Sequence, residues 1–83
     1  MRTKAVNSKS LGIILKSVRK SKGLNQTETG KLVGVDQTTI SKIERGESNA
    51  RIDTLFRILA ALDMELIVRP REKTSDMSEG DTW

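Results

Sequence analysis

One segment, DQTTISKIERG at residues 36–46, concentrates side chains that can form hydrogen bonds and ion pairs with nucleic acids. At helical spacing its polar members occupy positions i, i+1, i+4, i+5 and i+8 of one outward face: Gln37, Thr38, Ser41, Lys42 and Arg45. The amide and hydroxyls can bond base edges, and the methyl of Thr38 can pack against a thymine methyl. The two cations suit backbone phosphates better than bases. The alternative for these cations is an ordinary solvated helix face.

Two glutamines, eleven residues apart, add to this chemistry. The amide of Gln37 offers one donor and one acceptor, which match N7 and N6 of adenine. Gln26 is better placed for a phosphate or for steadying Gln37. Thr39 is expected either to face a phosphate or to cap its helix locally. The alternative is that both glutamines are ordinary residues at helix starts, with solvated amides.

Two short helices around a sharp turn must position these groups. Asn25 can cap the first helix, with Glu28 completing a capping box three residues later. Asp36 can cap the second helix, and Gly34 lies where the chain must turn between them. Residues 25–46 therefore predict a helix-turn-helix unit, which presents its second helix to the major groove of DNA.

Apolar spacing predicts one further helix on each side of this unit. The first begins after a Ser10 cap and stops at Gly23, and the last has the acidic Asp53 in its first turn. The inward positions are expected to be Leu11, Ile14, Leu15, Val18, Ile40, Ile43, Ile52, Leu55, Phe56, Leu59 and Leu62. On the opposite face of the first helix, Lys16, Arg19 and Lys20 are expected either to reach the DNA backbone or to remain solvated.

The chain changes character after the last helix. Residues 65–69, ELIVR, are apolar and β-branched, and they end at Pro70, which predicts one short strand. A lone strand needs a partner for its backbone groups, and the same strand of a second copy supplies one, so we expect a twofold dimer. The alternatives are an extension of the last helix or coil. The expected organisation is a mobile arm at 1–9, a DNA-binding domain at 10–63, a dimerisation strand at 64–70 and a disordered tail at 71–83.

Composition narrows the function classes. The chain has 83 residues, a net charge of +4, no cysteine and no histidine, which argues against disulfides, thiolate metal sites and an enzyme, and no cofactor is expected. Residues 1–45 hold ten Lys or Arg against three acids, whereas residues 46–83 hold five against eight. Positive charge around the helix-turn-helix unit favours phosphate binding. The apolar run at residues 11–15 is too short for a signal or membrane segment, so a cytoplasmic, nucleoid-associated protein is expected.

The stretch from Leu11 to Leu62, and VDQTTISKIERG in particular, resembles the Cro and phage C1 repressor class, the XRE family. The resemblance implies an all-α, lambda-repressor-like helix-turn-helix fold of four or five helices, with the short C-terminal strand described above. It also implies a dimer on palindromic double-stranded operator DNA. The family uses the Gln37 position for contacts in the major groove, and resemblance to its HipB-like antitoxins assigns operator contacts to Asp36, Gln37, Thr38 and Ser41.

A single domain followed by LDMELIVRP and a polar tail ending in Trp is similar to the HipB-like antitoxins of that family. This resemblance implies a repressor of its own operon that also restrains a HipA-like serine/threonine kinase toxin. It assigns Leu66, Ile67 and Val68 to the dimer interface and Trp83 to the toxin. The alternative for Trp83 is a terminal residue without a role.

The chain departs from the family pattern at several positions. Thr29 and Gly30 stand where Leu and Ala are usual, which predicts a second helix that is less well packed and less intrinsically helical, the glycine lowering the helix propensity by about 1 kcal/mol. Arg51 stands where a Ser cap is common.

Two other functions stay open. One is a solitary repressor of the phage or restriction-controller type, without a toxin partner. The other is a protein-interaction module, which the polar face disfavours because such grooves need apolar anchors.

Overall fold

The computed structural model describes residues 4–47 and 49–71 and contains, within them, four helices and no strand. The helices are α1 (Ser8–Ser21), α2 (Gln26–Val33), α3 (Gln37–Glu44) and α4 (Ile52–Ala61). Helix α2 packs against both α3 and α4, and α1 packs against α3. The predicted all-α helix-turn-helix class is confirmed.

The helix-turn-helix unit is capped as predicted. Asn25 Oδ1 accepts from the backbone N–H of Glu28 at 2.7 Å, and the carboxylate of Glu28 accepts from the backbone N–H of Asn25 at 2.8 Å. Asp36 Oδ1 accepts from the N–H of Thr39 at 2.8 Å. Gly34 ends α2 with a φ of 81°, in the left-handed region that a β-carbon disfavours. These contacts set the entry point of α3 and hence the direction of its polar face.

The predicted start of α1 is wrong by three residues. Asn7, and not Ser10, is the N-cap: Asn7 Oδ1 accepts from the N–H of Ser10 at 2.8 Å. The hydroxyl of Ser10 accepts in turn from the N–H of Asn7 at 3.1 Å, as the third residue of a capping box. Asn7 and Ser10 are both suitable cap residues, and their reciprocal hydrogen bonds favour Asn7 as the N-cap. The helix therefore begins inside the predicted arm and, as predicted, ends before Gly23, which has a φ of 72°.

The core lies between all four helices. Its buried apolar members are Leu15, Val33, Ile40, Ile43, Ile58, Leu59 and Leu62. The inward positions predicted for α3 are thus confirmed, but two predicted for α4 are wrong. Ile52 and Phe56 are 67 % and 48 % exposed, whereas Thr54 and Ile58 are buried. The apolar residues of α4 extend around most of its circumference, so spacing alone does not identify the inward face.

Helix α2 is closely packed at Thr29 and Gly30, the two positions that depart from the family pattern. Thr29 is 1 % exposed, and its hydroxyl donates to the backbone oxygen of Asn25 at 3.0 Å. A β-carbon on Gly30 would lie 2.6 Å from the backbone oxygen of Val35, so the small residue lets the turn fold back against the helix. Arg51 provides no side-chain cap to α4.

The segment after α4 leaves the helical direction at once. Asp63 has a φ of 59°, and residues 64–71 carry no helix, so an extension of α4 is excluded. Leu66, Ile67 and Val68 are 50 %, 71 % and 88 % exposed in the single chain. An intermolecular strand requires a second copy, so that pairing stays a prediction. The predicted tail from residue 72, with Trp83, lies outside the described residues.

Candidate nucleic-acid interface

The outward face of α3 has the predicted composition. Gln37, Thr38, Lys42 and Arg45 are exposed, and Ser41 is half-buried beside them. A groove-sized helix with hydroxyl, amide and cationic groups along one side can contact both base edges and phosphates. None of the helices among the described residues is long and apolar enough to cross a membrane. Nor do those residues contain a group of acidic side chains that could hold a metal ion.

Asp36 and Thr39 form a local unit at the start of α3. Hydrogen bonds from the hydroxyl and the backbone N–H of Thr39 hold the pKa of Asp36 below its usual value of 3.8. The carboxylate also lies at the positive end of the helix dipole, which favours its ionised form. Of the two roles predicted for Thr39, its contacts correspond to the local cap.

Gln26 and Gln37 meet side chain to side chain. Gln37 Nε2 donates to Gln26 Oε1 at 2.6 Å, across the turn between α2 and α3. The geometry therefore corresponds to the steadying role that the sequence predicted for Gln26. Gln26 in turn donates through Nε2 to Glu44 Oε1 at 3.0 Å. Gln37, at the start of α3, is thus connected through Gln26 of α2 to Glu44 at the end of α3.

A buried ion pair between α1 and α3 lies behind the glutamines. Arg19 Nε donates to Glu44 Oε2 at 2.5 Å, and its second nitrogen donates to Oε1 at 3.1 Å. The remaining Arg19 nitrogen donates to the backbone oxygen of Leu24 at 2.7 Å. Arg19 and Glu44 are only 6 % and 7 % exposed. Neither prediction for Arg19, a DNA contact or solvation, is right, because this acid draws it inward.

Glu44 belongs to this site but was not predicted from the sequence. Residues 1–45 contain three acids, Glu28, Asp36 and Glu44. Two of these cap helices, so the third had no assigned role. It follows the inward Ile43 directly, in a strongly basic half of the chain. An acid left over in that setting is a signal for a buried partner of an arginine.

Arg45 is restrained before any DNA is present. Its guanidinium donates to the hydroxyl of Ser41 at 2.7 Å and to Glu47 Oε2 at 2.9 Å. The hydrogen bond and the charge of Arg45 lower the pKa of Glu47. This acid was not predicted as part of the site. Because all three side chains are accessible to solvent, the pair is weak and a phosphate can compete for the guanidinium.

Comparisons with known proteins agree with this geometry. The family model HTH_3, described as Helix-turn-helix, matches residues 15–68. The ImmF control region 10 kDa protein of Bacillus phage phi105 is 35 % identical over 75 residues, covering 90 % of this chain and 83 % of the relative. Antitoxin HipB of Escherichia coli K12 is 33 % identical over 64 residues, covering 77 % and 73 %.

Solved structures give the same assignment. A HipB–O4 20mer complex superposes with a TM-score of 0.77 at 30 % identity, and a HipA–HipB–O2–O3 complex with 0.76 at 30 %. Each match covers 86 % of this chain and the whole matched chain of the solved structure. The restriction-modification controller protein C.AhdI of Aeromonas hydrophila reaches 0.62 at 33 % identity, covering 65 % of this chain and 78 % of the controller. The chain therefore belongs to the XRE-type helix-turn-helix family and is a HipB-like DNA-binding regulator.

Proposed function

We propose that this protein represses its own operon and acts as the antitoxin of a HipA-type kinase toxin. In this proposal two copies bind a palindromic operator, each inserting α3 into the major groove. The contacts come from α3 and its neighbours: Gln26, Asp36, Gln37, Thr38, Thr39, Ser41, Lys42 and Arg45. Phosphate contacts by the cations would give affinity, and the amide of Gln37 would give sequence preference.

One observation carries the antitoxin part of the proposal. The match to HipB covers the whole HipB chain in the solved complexes, with TM-scores of 0.76 and 0.77, and so extends beyond the helices that all such regulators share. One of those complexes contains HipA by its name. The toxin contact proposed for Trp83 comes from the resemblance of the tail.

The dimer part rests on the exposed segment after α4. Leu66, Ile67 and Val68 are all at least half exposed in the single chain, and three consecutive apolar side chains favour burial. The backbone there is free of helix and strand, so it can pair with its symmetry mate. A twofold dimer would present two copies of α3 to two half-sites about one helical turn apart.

A solitary repressor is the second candidate function. It is favoured by the phage phi105 relative, which covers 90 % of this chain, and by the structural match to C.AhdI. The two functions share the DNA-binding face and differ in whether a kinase binds the tail. The experiment that tests the proposal must therefore report on the tail and on DNA separately.

The test compares the full chain with a version that lacks residues 76–83. Each is used as bait in lysate of the source organism, with bound proteins identified by mass spectrometry, and each is assayed on DNA from its own promoter. We expect a HipA-type kinase to be retained by the full chain alone, and both versions to bind the promoter DNA. Promoter binding without a kinase in either sample would leave the solitary repressor. Kinase binding that survives the deletion would contradict the assignment of the toxin contact to Trp83.

A further inference from the structure

We propose that Glu44 sets the base preference of Gln37, because its ion-paired carboxylate acts through Gln26 to determine which way the Gln37 amide faces. Glu44 is then a positioning residue for DNA recognition, although it is buried and does not reach the DNA itself. The inference rests on the proposed contact between Gln37 and a base. It assigns a role in specificity to a residue outside the predicted DNA contacts.

The physical link is a continuous chain of hydrogen bonds from the core to the surface. Arg19 bonds both oxygens of Glu44 at 2.5 and 3.1 Å, Glu44 Oε1 accepts from Gln26 at 3.0 Å, and Gln26 accepts from Gln37 at 2.6 Å. Along this chain exposure rises: Arg19 and Glu44 are buried, Gln26 is half-buried and Gln37 is exposed. A buried network at one end therefore contacts a proposed base-reading group at the other.

The carboxylate of Glu44 fixes the orientation of the amides of Gln26 and Gln37. An ion-paired carboxylate can only accept hydrogen bonds, so Gln26 must turn Nε2 toward Glu44. Its Oε1 then faces Gln37 and can also only accept, so Gln37 must present Nε2 to it. The reverse orientation would place two acceptors against each other at both contacts. Each amide has two possible orientations, and the carboxylate selects one of them.

The selected orientation leaves a defined pattern on Gln37 for the DNA. Gln37 Nε2 donates one N–H to Gln26. The N–H that points away from Oε1 can make this bond, which leaves the other N–H beside Oε1 on one edge of the amide. This donor and acceptor pair fits adenine N7 and N6 in one order only. If the amide turned over, donor and acceptor would exchange places along the base edge and the fit would be lost.

The buried pair is rigid enough to impose this choice. Arg19 is held by three hydrogen bonds, two to Glu44 and one to the backbone oxygen of Leu24. Separating the two charges would leave one of them buried without a partner, which is strongly unfavourable. The carboxylate therefore stays in place while the exposed amide meets DNA.

The experiment selects binding sites from a library of random-sequence DNA duplexes and measures base preference at each position by sequencing. The proteins compared are full-length wild type, Gln37→Ala, Gln26→Met, and the double variant Arg19→Met with Glu44→Gln. Gln26→Met keeps the side-chain length and the buried ion pair but removes the connecting amide. The double variant removes both charges together, so no buried charge loses its partner, and its amide can offer either an oxygen or an N–H to Gln26.

A core variant provides the matched control for a merely structural role. Ile58→Val loosens the buried cluster and changes no residue of the hydrogen-bond chain. It is expected to lower the melting temperature and to leave the base preference at every position unchanged. Thermal unfolding of each variant shows which proteins are folded under the conditions of the selection. If the double variant does not fold, Gln26→Met still tests the link.

The expected result is a loss of preference confined to one position per half-site. A bidentate contact predicts that wild type favours adenine there by about five- to 150-fold, and Gln37→Ala should abolish this preference. Gln26→Met and the double variant should reduce it to about threefold or less while other positions keep theirs. An unchanged adenine preference in either folded variant would overturn the inference and leave the proposed function standing. A Gln37→Ala selection identical to wild type would overturn the base contact and the inference together.

Discussion

Gln37 is restrained before it meets DNA, and this changes what binding costs. A free glutamine side chain gives up about 0.5–1.5 kcal/mol of rotamer freedom when a complex immobilises it. In the free protein this side chain already donates to Gln26 at 2.6 Å, so part of that cost falls on folding instead. Arg45 shows the same principle, with bonds to Ser41 and Glu47 in the free chain. At the scale of single residues, the face of α3 is preorganised.

The first prediction concerns the amide of Gln37. Gln37→Ala should weaken binding to the selected operator by about 1–3 kcal/mol, because a bidentate base contact is lost. Binding to unrelated DNA should change little, since phosphate contacts remain. Titrations of the two duplexes at one salt concentration measure both affinities. Equal losses on both would show that Gln37 contacts the backbone and not a base.

The second prediction concerns pH and the cap of α3. Because the folded state lowers the pKa of Asp36 from 3.8, this carboxylate stabilises the protein fully above that value. The stabilisation is lost as the pH falls through the lower, folded-state value. Asp36→Asn keeps an oxygen for the cap but cannot titrate. Melting temperatures measured from neutral pH downward should therefore show the gap between wild type and variant closing in acid. A gap of constant size would contradict the shift.

At the scale of elements, α1 lies in close contact with the end of α3. A β-carbon on Gly12 would lie 2.6 Å from the backbone oxygen of Ile43, with the carbonyl of Glu44 also within contact. The backbone of α1 can therefore lie directly on α3 only because this side chain is absent. The contact also brings Arg19 within reach of Glu44. Helix packing and the polar network thus depend on one small residue.

The third prediction tests this close contact between α1 and α3. Gly12→Ala should destabilise the protein by about 1–3 kcal/mol, because overpacking against backbone outweighs the gain in helix propensity. Ser17→Ala, on an exposed position of the same helix, is the matched control and should change stability by less than about 0.5 kcal/mol. Urea unfolding measures both. A Gly12→Ala protein as stable as wild type would mean that the helices are not in such close contact.

Sequence reasoning succeeded where the information was local. The capping box at Asn25, the cap at Asp36 and the turn at Gly34 depend on side chains within a few residues, and all three are confirmed. The errors arose where several local solutions compete or where partners are distant. Asn7 and Ser10 could both begin α1, and the apolar surface of α4 offered more than one inward face.

The buried ion pair shows the second kind of limit. Arg19 and Glu44 are 25 residues apart, and neither the charge of one nor the position of the other identifies its partner without a packed structure. The link from this pair to Gln37 depends on the same tertiary contacts. By contrast, the contact between the two glutamines was within reach of the sequence, because the helix-turn-helix frame places both at the same end of the unit.

The N-terminal half of the molecule is basic and contains the DNA-binding helix α3, whereas the C-terminal part contains an exposed apolar segment. Residues 1–45 carry ten cations against three acids, and the apolar segment follows α4. A small domain buries only a modest fraction of its surface on folding, so association through such an exposed segment can bury much more of it. Joining two copies there would place two basic halves on one operator, which raises affinity through simultaneous engagement.

The fourth prediction tests this assembly. Ile67→Asp should convert the proposed dimer to a monomer and lower operator affinity about a hundredfold or more, because two linked half-site contacts become independent. Leu32→Asp is the matched control, since Leu32 is 61 % exposed against 71 % for Ile67 but lies on α2. It should leave the mass in solution unchanged. Light scattering measures the mass of both, and a dimer that survives Ile67→Asp would refute the predicted strand pairing.

Mapping of the DNA-binding surface by NMR tests whether α3 contacts the operator. The uniformly labelled full chain is titrated with the selected operator duplex, and shifts of backbone and side-chain amides are followed residue by residue. We expect the largest changes to cluster on Gln37, Thr38 and Ser41, with the side-chain amide signals of Gln26 and Gln37 moving together. Changes centred on the exposed side of α4, at Ile52 and Phe56, with α3 unaffected, would contradict it.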